Sequence, residues 1–515
     1  MPRGTIQTVY KPEPGGVRED VSPVLIPDGS LVSSNNVLTR RGIRRPRPGY
    51  DLSDTTADGK RITHIGFRGS RHQSTNIVLF TTDNQYSWNG NSLTSVTRSG
   101  WTASGPDQLS RSCTFSQGGT DYLMAVNPEN TVQEWTGSGN FTATTGGAPN
   151  GKDILVLGNR LLVIAPSDMN FTVEWSGFKD RTSWSSSVNR TLLQDTQGSL
   201  VGGLPFSPNT AAIYKDDSVY LATVQAAVEP FQFQFSGLVP GPLSPAIIVN
   251  ALGVHYWMGE DFSIYKFDGA EPKLVSSGLV RTIARNINYS DKGAAFGFSS
   301  ITQDYREVWL FYPNRTGRFN AISCNIVTGA VNHHEFGHTI TAAADWRMGG
   351  ATIDGLDTFS STIDALDTYA SSVDGLDGAI GVESIALFGD SSGRLYTMGA
   401  AFVEDNGTAI PWTWEEAWVA PGQNQTRVQL DAVQTYWKDL DNALTITVTA
   451  TTTDKLNDLE TGTAVTFNAG TDEQHLLTFP NKRGKLVKLR YEGAVATQNL
   501  EYRGALMTSW PRGRV

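Results

Sequence analysis

The chain has 515 residues, a formal net charge of −10, charged residues at 18%, and 52 Gly. That length exceeds one ordinary hydrophobic core and predicts two or three domains. The acidic balance excludes a protein that grips duplex nucleic acid over its whole surface; two cysteines, Cys113 and Cys324, exclude a disulfide scaffold or Cys-ligated zinc finger; and no run approaches about 20 apolar residues, so no membrane-spanning helix is expected.

Short runs of Val, Ile, Tyr, Phe and Thr, punctuated by Asn, Asp and Gly, predict an all-β protein. The opening Met1-Pro2-Arg3-Gly4 lacks the apolar stretch of a signal peptide. Residues 1–54 carry Pro12, Pro14, Gly15, Gly16, Pro23, Pro27 and Gly29. This density of Pro and Gly predicts an extended N-terminal arm rather than a helix or a central strand. The arm ends with Arg40, Arg41, Arg44, Arg45 and Arg47, five candidate contacts. They suit a nucleic acid or, as the favoured expectation, carboxylates of the acidic body or of a neighbouring subunit.

Residues 55–410 carry a long-period echo. Ile77-Val78-Leu79-Phe80, Tyr122-Leu123-Met124-Ala125-Val126 and Leu161-Leu162-Val163-Ile164 each lead through a turn to a second strand-like run. Those runs close at Trp88-Asn89-Gly90, Trp135-Thr136-Gly137 and Trp175-Ser176-Gly177. Units around 254–269, 308–329 and 385–398 keep the shape with changed letters. Four-stranded units every ~40 to 50 residues predict a β-propeller, here of six or seven blades, with the recurring Trp packed between blades. Stacked sandwiches are the alternative architecture. Within this span, 351–378 repeats a ten-residue unit three times, placing Asp354, Asp357, Asp364, Asp367, Asp374 and Asp377 in one short stretch. The D-x-x-D spacing fits neither an EF-hand nor a β-roll, so an inserted acidic loop is expected in preference to a calcium site. From 411 to 515, Trp412, Trp414, Trp418 and alternating segments near 426–430, 444–449, 464–467 and 485–490 predict a C-terminal antiparallel β-sandwich. The ending Trp510-Pro511-Arg512-Gly513-Arg514-Val515 reads as too polar and Pro-broken to continue a sheet.

One string carries enzymatic chemistry: His334-Glu335-Phe336-Gly337-His338. H-E-x-x-H ligates zinc when both histidines share a helical face and the glutamate activates bound water. Its surroundings predict strand, and Thr341 and Ala344 stand where the extended zincin pattern has Gly and His. A zinc hydrolase using His334, Glu335 and His338 is therefore an alternative, as is a host-glycan-binding propeller with exposed Trp and Tyr as stacking platforms. No phosphate-cradling loop, nucleophile elbow or redox Cys pair is present, so neither a catalytic set nor a cofactor is expected.

Three parts of the chain resemble one family. Gly15-Gly16-Val17-Arg18-Glu19-Asp20, Ile26-Pro27-Asp28-Gly29, Asn36-Val37 and Arg44-Arg45-Pro46-Arg47-Pro48-Gly49-Tyr50 are similar to the opening of tail nozzle (tail tubular protein B-like, packaged-DNA-stabilisation) proteins of short-tailed bacteriophages. The T-I-D-x-L-D repeat resembles an insertion in such proteins, and Pro411-Trp412-Thr413-Trp414-Glu415 and Pro511-Arg512-Gly513-Arg514 are also similar. The resemblance implies a structural virion protein, a homohexameric ring at the end of the tail, assembled in the host cytoplasm. Implied partners are the tail adaptor, tail fibre or spike proteins, and double-stranded DNA passing through the lumen without sequence-specific binding until ejection. A carboxylate-lined lumen repels phosphate, which makes the six repeat aspartates candidates for the channel lining or a gate.

Overall fold

The computed structural model describes the chain except for residues 1–5, 11–14, 23–24, 28–29, 41–42, 70–76, 91, 106, 167–168, 186–188, 227–228, 302–305, 347–383, 400–401, 422–426, 439–443, 454–462, 470–473, 496–500 and 512–515. The described chain is all-β apart from one α-helix, Val280–Asn286, and short 3-10 turns.

Local turn chemistry builds the hairpins. Asp153–Leu157 and Arg160–Ile164 pair Leu157 with Arg160. The two linking residues, Gly158 and Asn159, have φ of 58° and 56°. Two left-handed residues in succession match the twist of a tight hairpin, and Gly and Asn are the residues that accept them. Repetition of such hairpins gives free-standing antiparallel sheets. The first runs Ile62–Phe67, Ile77–Thr81, Gln85–Trp88, Leu93–Ser95; the second Arg111–Gln117, Thr120–Val126, Gln133–Trp135, Thr142–Ala143. The third holds Asp153–Leu157, Arg160–Ile164, Thr172–Gly177, Asp180–Trp184 and Arg190–Leu192. The fourth is Leu200–Ser207, Thr210–Lys215, Ser218–Val224, Phe231–Leu238; the fifth Val249–Ala251, Val254–Met258, Ile264–Phe267, Lys273–Ser276.

The first strands of these sheets stand side by side in a propeller-like arrangement. Ile62–Phe67 neighbours Arg111–Gln117, which neighbours Asp153–Leu157, which neighbours Leu200–Ser207. Val249–Ala251 neighbours Phe296–Ile301, which packs beside Ile340–Asp345, which returns to Ile62–Phe67. The expected count of six or seven blades is corrected to five separate sheets. The reason is strand addition. The strands Phe296–Ile301, Arg306–Pro313, Phe319–Asn325 and Val331–Glu335 continue into Leu31–Asn35, and Ile340–Asp345, Ser384–Asp390 and Arg394–Gly399 continue into Tyr50–Thr55. Both runs thereby merge into one 14-stranded sheet.

The recurrent tryptophans lie between sheets. Trp88 meets Trp346 at 5.7 Å, Trp175 meets Phe231 at 5.3 Å, and Trp135 shares a cluster with Val78 and Phe80 of the first sheet. Large aromatic area buried there holds neighbouring sheets together.

The expected coreless arm is also corrected. Among its described residues, Leu31–Asn35, Val37–Arg40, Ile43–Pro46 and Tyr50–Thr55 are strands of the body, and Val17, Leu31, Val37 and Tyr50 are fully buried. Pro48 and Gly49 occupy the link between Ile43–Pro46 and Tyr50–Thr55, and Pro46 ends its strand, where a missing ladder hydrogen bond is tolerated. Gly16 shows why a residue without Cβ is required: a Cβ there would lie 2.2 Å from the Val331 backbone nitrogen.

Beyond residue 410, Val428–Lys438, Gln474–Gly484 and Glu501–Pro511 belong to a six-stranded sheet, which Ile6–Tyr10 joins from the N-terminal segment. Thr408–Glu416, Leu486–Val495, Leu444–Thr453 and Thr463–Ala469 extend the 14-stranded sheet. Trp412, Trp414, Trp437, Tyr491 and Tyr502 form one aromatic cluster among these strands. Here the chain end departs from expectation. The last strand continues through Trp510 to Pro511, opposite Gln429 and Val428, because proline is tolerated in the terminal position of a strand.

Candidate functional site

Arg44, Arg47 and the His334–His338 segment come together where the N-terminal segment crosses the body. Leu31–Asn35 lies between Val331–Glu335, with Asn35 opposite His333, and Thr408–Glu416, with Leu31 opposite Glu416. Asn36 then turns with φ 57°. Its carboxamide donates to the Pro411 carbonyl at 2.8 Å and accepts from the Glu335 amide at 3.0 Å.

Arg47 is the centre of this seam. Nε donates to Asn36 Oδ1 at 3.0 Å. Nη1 donates to the Pro48 carbonyl and Asp405 Oδ1 at 3.0 and 2.8 Å, and Nη2 to the Glu335 carbonyl and Asp405 Oδ2 at 2.9 and 2.5 Å. Every N–H of the guanidinium is used. Its Cζ lies 4.2 Å from the Phe336 ring centre, and its side chain has no solvent exposure. Arg44 is equally buried and pairs with Glu416. Burial pushes the Glu416 carboxyl up, and Arg44 opposes that shift. Arg45 is half-buried, Arg40 ends a strand, and Arg41 lies outside the described residues.

His334-Glu335-Phe336-Gly337-His338 does not form a helix. His334 and Glu335 end the strand Val331–Glu335, and His338 lies beyond it. His334 is fully buried, its Nε2 is 2.8 Å from Ser323 Oγ, and its ring centre is 4.5 Å from that of Trp309. Burial, with the Arg47 guanidinium and His333 adding to it, drives its pKa well below the usual histidine range. Glu335 is exposed and accepts from Asn35 Nδ2 at 3.3 Å. The Tyr50 hydroxyl accepts the His338 amide at 3.1 Å and is hydrogen-bonded to His338 Nδ1 at 2.9 Å. Successive strand residues face opposite ways, so the shared helical face that zinc ligation needs is not formed. Among the described residues no group of three or more His, Cys, Asp and Glu is placed to hold a metal ion.

The first strands of the sheets enclose a cavity of about 370 Å³, with His64, Arg111, Ser112, Asn250, Phe298 and Asp345 among its walls. His64 Nε2 lies 2.8 Å from Ser112 Oγ, and Arg111 Nε lies 3.0 Å from Asp153 Oδ1. Asp153 also accepts the Gly203 amide at 3.0 Å, and burial pushes its carboxyl up. Each of these bonds joins neighbouring sheets, so the polar groups at the axis act as stitches. Cys113 sits in the same wall, and burial raises its thiol pKa, which disfavours the reactive thiolate.

Sequence reasoning missed Asp405 and Glu416, because nothing local marks a carboxylate as the partner of an arginine more than 350 residues away. It also missed the Tyr50–His338 pair. The six repeat aspartates, Asp354 to Asp377, lie outside the described residues.

No protein-family description and no curated protein matches the sequence. Among solved structures, the chain is similar to BamB from Moraxella catarrhalis at 9% identity, covering 72% of this chain and 99% of that one, with a TM-score of 0.35. It is similar to YCF48 from Cyanidioschyzon merolae at 9% identity, 68% and 99% coverage and a TM-score of 0.38. BBS1N in complex with ARL6DN gives 8% identity, 68% and 97% coverage and a TM-score of 0.41. Likenesses this distant carry no argument about function.

Proposed function

We propose that this protein is a non-enzymatic structural component of a short-tailed bacteriophage tail, a nozzle subunit that works as a homo-oligomeric ring, a hexamer by the family resemblance. The carrying observation is where the N-terminal residues of that resemblance lie. Val17 donates to the Val331 carbonyl at 2.8 Å, Glu19 binds Thr282 N at 2.9 Å, and Arg47 ties Asp405, Glu335 and Asn36 together. These motifs serve cohesion. They sew the N-terminal segment, the blades and the C-terminal strands into one body, which suits a part that retains DNA under pressure.

Tyr50–Thr55 pairs with Arg394–Gly399 inside the 14-stranded sheet, a closure that ties the chain's beginning to its middle. The axial cavity of about 370 Å³ has the size of a small-molecule site. Double-stranded DNA therefore passes between copies, through the lumen of the ring, while each propeller forms part of its wall. Location in the virion and contact with the tail adaptor and fibre or spike proteins follow from the same proposal.

Electron imaging of the purified protein with a native mass measurement tests it. A closed ring with a central pore is the expected result. A chain that stays monomeric and never joins tail components overturns it.

A further inference from the structure

The outer edges of the sheets are protected unequally. Leu93–Ser95 and Thr142–Ala143 are only three and two residues long. Lys273–Ser276 opens on a lysine, and Asp180–Trp184 opens on Asp-Arg. Val331–Glu335 and Arg394–Gly399 are covered by Leu31–Asn35 and Tyr50–Thr55. Shortness, charge and a covering strand are the usual means by which a sheet edge avoids pairing with another chain. Phe231–Leu238 has none of them. It is eight residues long, Phe-Gln-Phe-Gln-Phe-Ser-Gly-Leu, with no charge and no proline. Ser218–Val224 pairs with it along one side, and among the described residues no strand pairs with the other.

We propose that a second copy of this chain docks on this edge, the two Phe231–Leu238 strands pairing antiparallel about a two-fold axis at Phe233. Phe231-Gln232-Phe233-Gln234-Phe235 reads the same in both directions. That register sets Phe231 against the partner's Phe235, Phe233 against its own counterpart, and Gln232 against the partner's Gln234. Side chains alternate along a strand, so the phenylalanines meet on one face and the glutamines on the other, with no charge opposed to a like charge. Burial is graded to match. Phe231 is 5% exposed beneath Trp175, whereas Phe235 is 46% exposed beside Tyr220, at a ring distance of 5.7 Å. Antiparallel pairing brings the buried end of one strand against the open end of the other, which covers both copies of Phe235. Gly237 has φ 155° beside Pro272, and Leu238, the last residue of the strand, is 72% exposed, at the margin of the same contact.

A two-fold contact uses the same patch on both copies and closes at two. It rests on this strand alone and uses none of the observations behind the ring, so the two readings succeed or fail independently. Gln232 and Gln234 are both exposed, and their substitution leaves the packed face untouched. Gln232→Lys with Gln234→Lys puts lysine opposite lysine twice across the axis. Gln232→Lys with Gln234→Glu puts lysine opposite glutamate twice. Sedimentation equilibrium is expected to show pairwise association in the parent chain. The Lys/Lys variant should weaken it at least about tenfold, and the Lys/Glu variant should restore it. In parallel, Phe233→Cys places a thiol on the axis, about 5 Å from its counterpart. Under mild oxidation it should give a covalent dimer absent from the parent chain and from Gln232→Cys, whatever larger assembly is present. A parent chain without pairwise association, equal association of the Lys/Lys and Lys/Glu variants, or equal cross-linking of the Phe233→Cys and Gln232→Cys proteins each overturns the proposal. So does open-ended aggregation through this strand.

Discussion

Arg47 shows how far one side chain can be committed to structure. A guanidinium with all of its donors satisfied and no solvent exposure is strongly stabilising only while its partners stay in place. Removing it leaves the Asp405 carboxylate, 4% exposed, without its counter-charge. Arg47→Met is therefore expected to lower unfolding free energy by about 3–5 kcal/mol, read by denaturant titration. Adding Asp405→Leu should recover part of that loss, because the stranded charge is then gone; a double variant as unstable as the sum of both single ones would refute the ion-pair account. Tyr50→Phe removes a hydroxyl that serves both the amide and the ring of His338. The expected cost is about 1–3 kcal/mol, and a variant as stable as the parent chain would show that the pair is incidental.

At the scale of elements, the decisive device is strand addition by the N-terminal segment. Leu31–Asn35 and Tyr50–Thr55 cover the open edges of two runs that are themselves continuous with the ring. A chain starting at residue 56 would bare both edges and lose Arg44 and Arg47 from beneath Glu416 and Asp405. Such a truncated chain is expected to aggregate on purification, and a separately supplied segment spanning residues 30–55 should bind it and restore a soluble product. A truncated chain that is soluble with an unchanged melting temperature would show that the segment is only an ornament. Periodicity in the sequence located most of the hairpins, since Trp-x-Gly and paired apolar runs are local signals. The covering strands were not legible, because Pro and Gly between short strands look identical to Pro and Gly in a free arm. What distinguishes them is a partner edge hundreds of residues away.

The whole molecule carries several buried neutral histidines, which makes acid its weak side. His255, stacked on Phe206 and bonded to Tyr214, is pushed down to about 3 by burial. His333, beside Asn320, and His334, beside Ser323, are lowered for the same reason. In the unfolded chain each titrates near the ordinary value, about 6.5. Above that pH both states are neutral at these sites and nothing is lost. As pH falls below it the unfolded chain gains protons that the folded chain refuses, so stability decreases toward the folded-state values. Each such histidine contributes a slope of about 1.4 kcal/mol per pH unit. Melting temperature should therefore fall steadily from pH 7 to pH 5, and less steeply in His255→Gln; a flat profile over that range would contradict the burial of these rings.

By itself, the sequence determined the all-β class, the repeated hairpins and the tryptophans between them, because turn chemistry and two-residue alternation act over a few neighbours. It also raised the arginine run and His334-Glu335-Phe336-Gly337-His338 as the segments to explain. Only the tertiary structure decided what they are for. It put Arg44 and Arg47 into buried ion pairs with Glu416 and Asp405, and it laid the histidine segment along a strand and its exit turn. It also fused two blade-like runs into one large sheet through the N-terminal strands. Those outcomes depend on long-range pairing. Whether a charge is buried or an edge is covered is set by what the rest of the chain brings to it, and no local pattern carries that information.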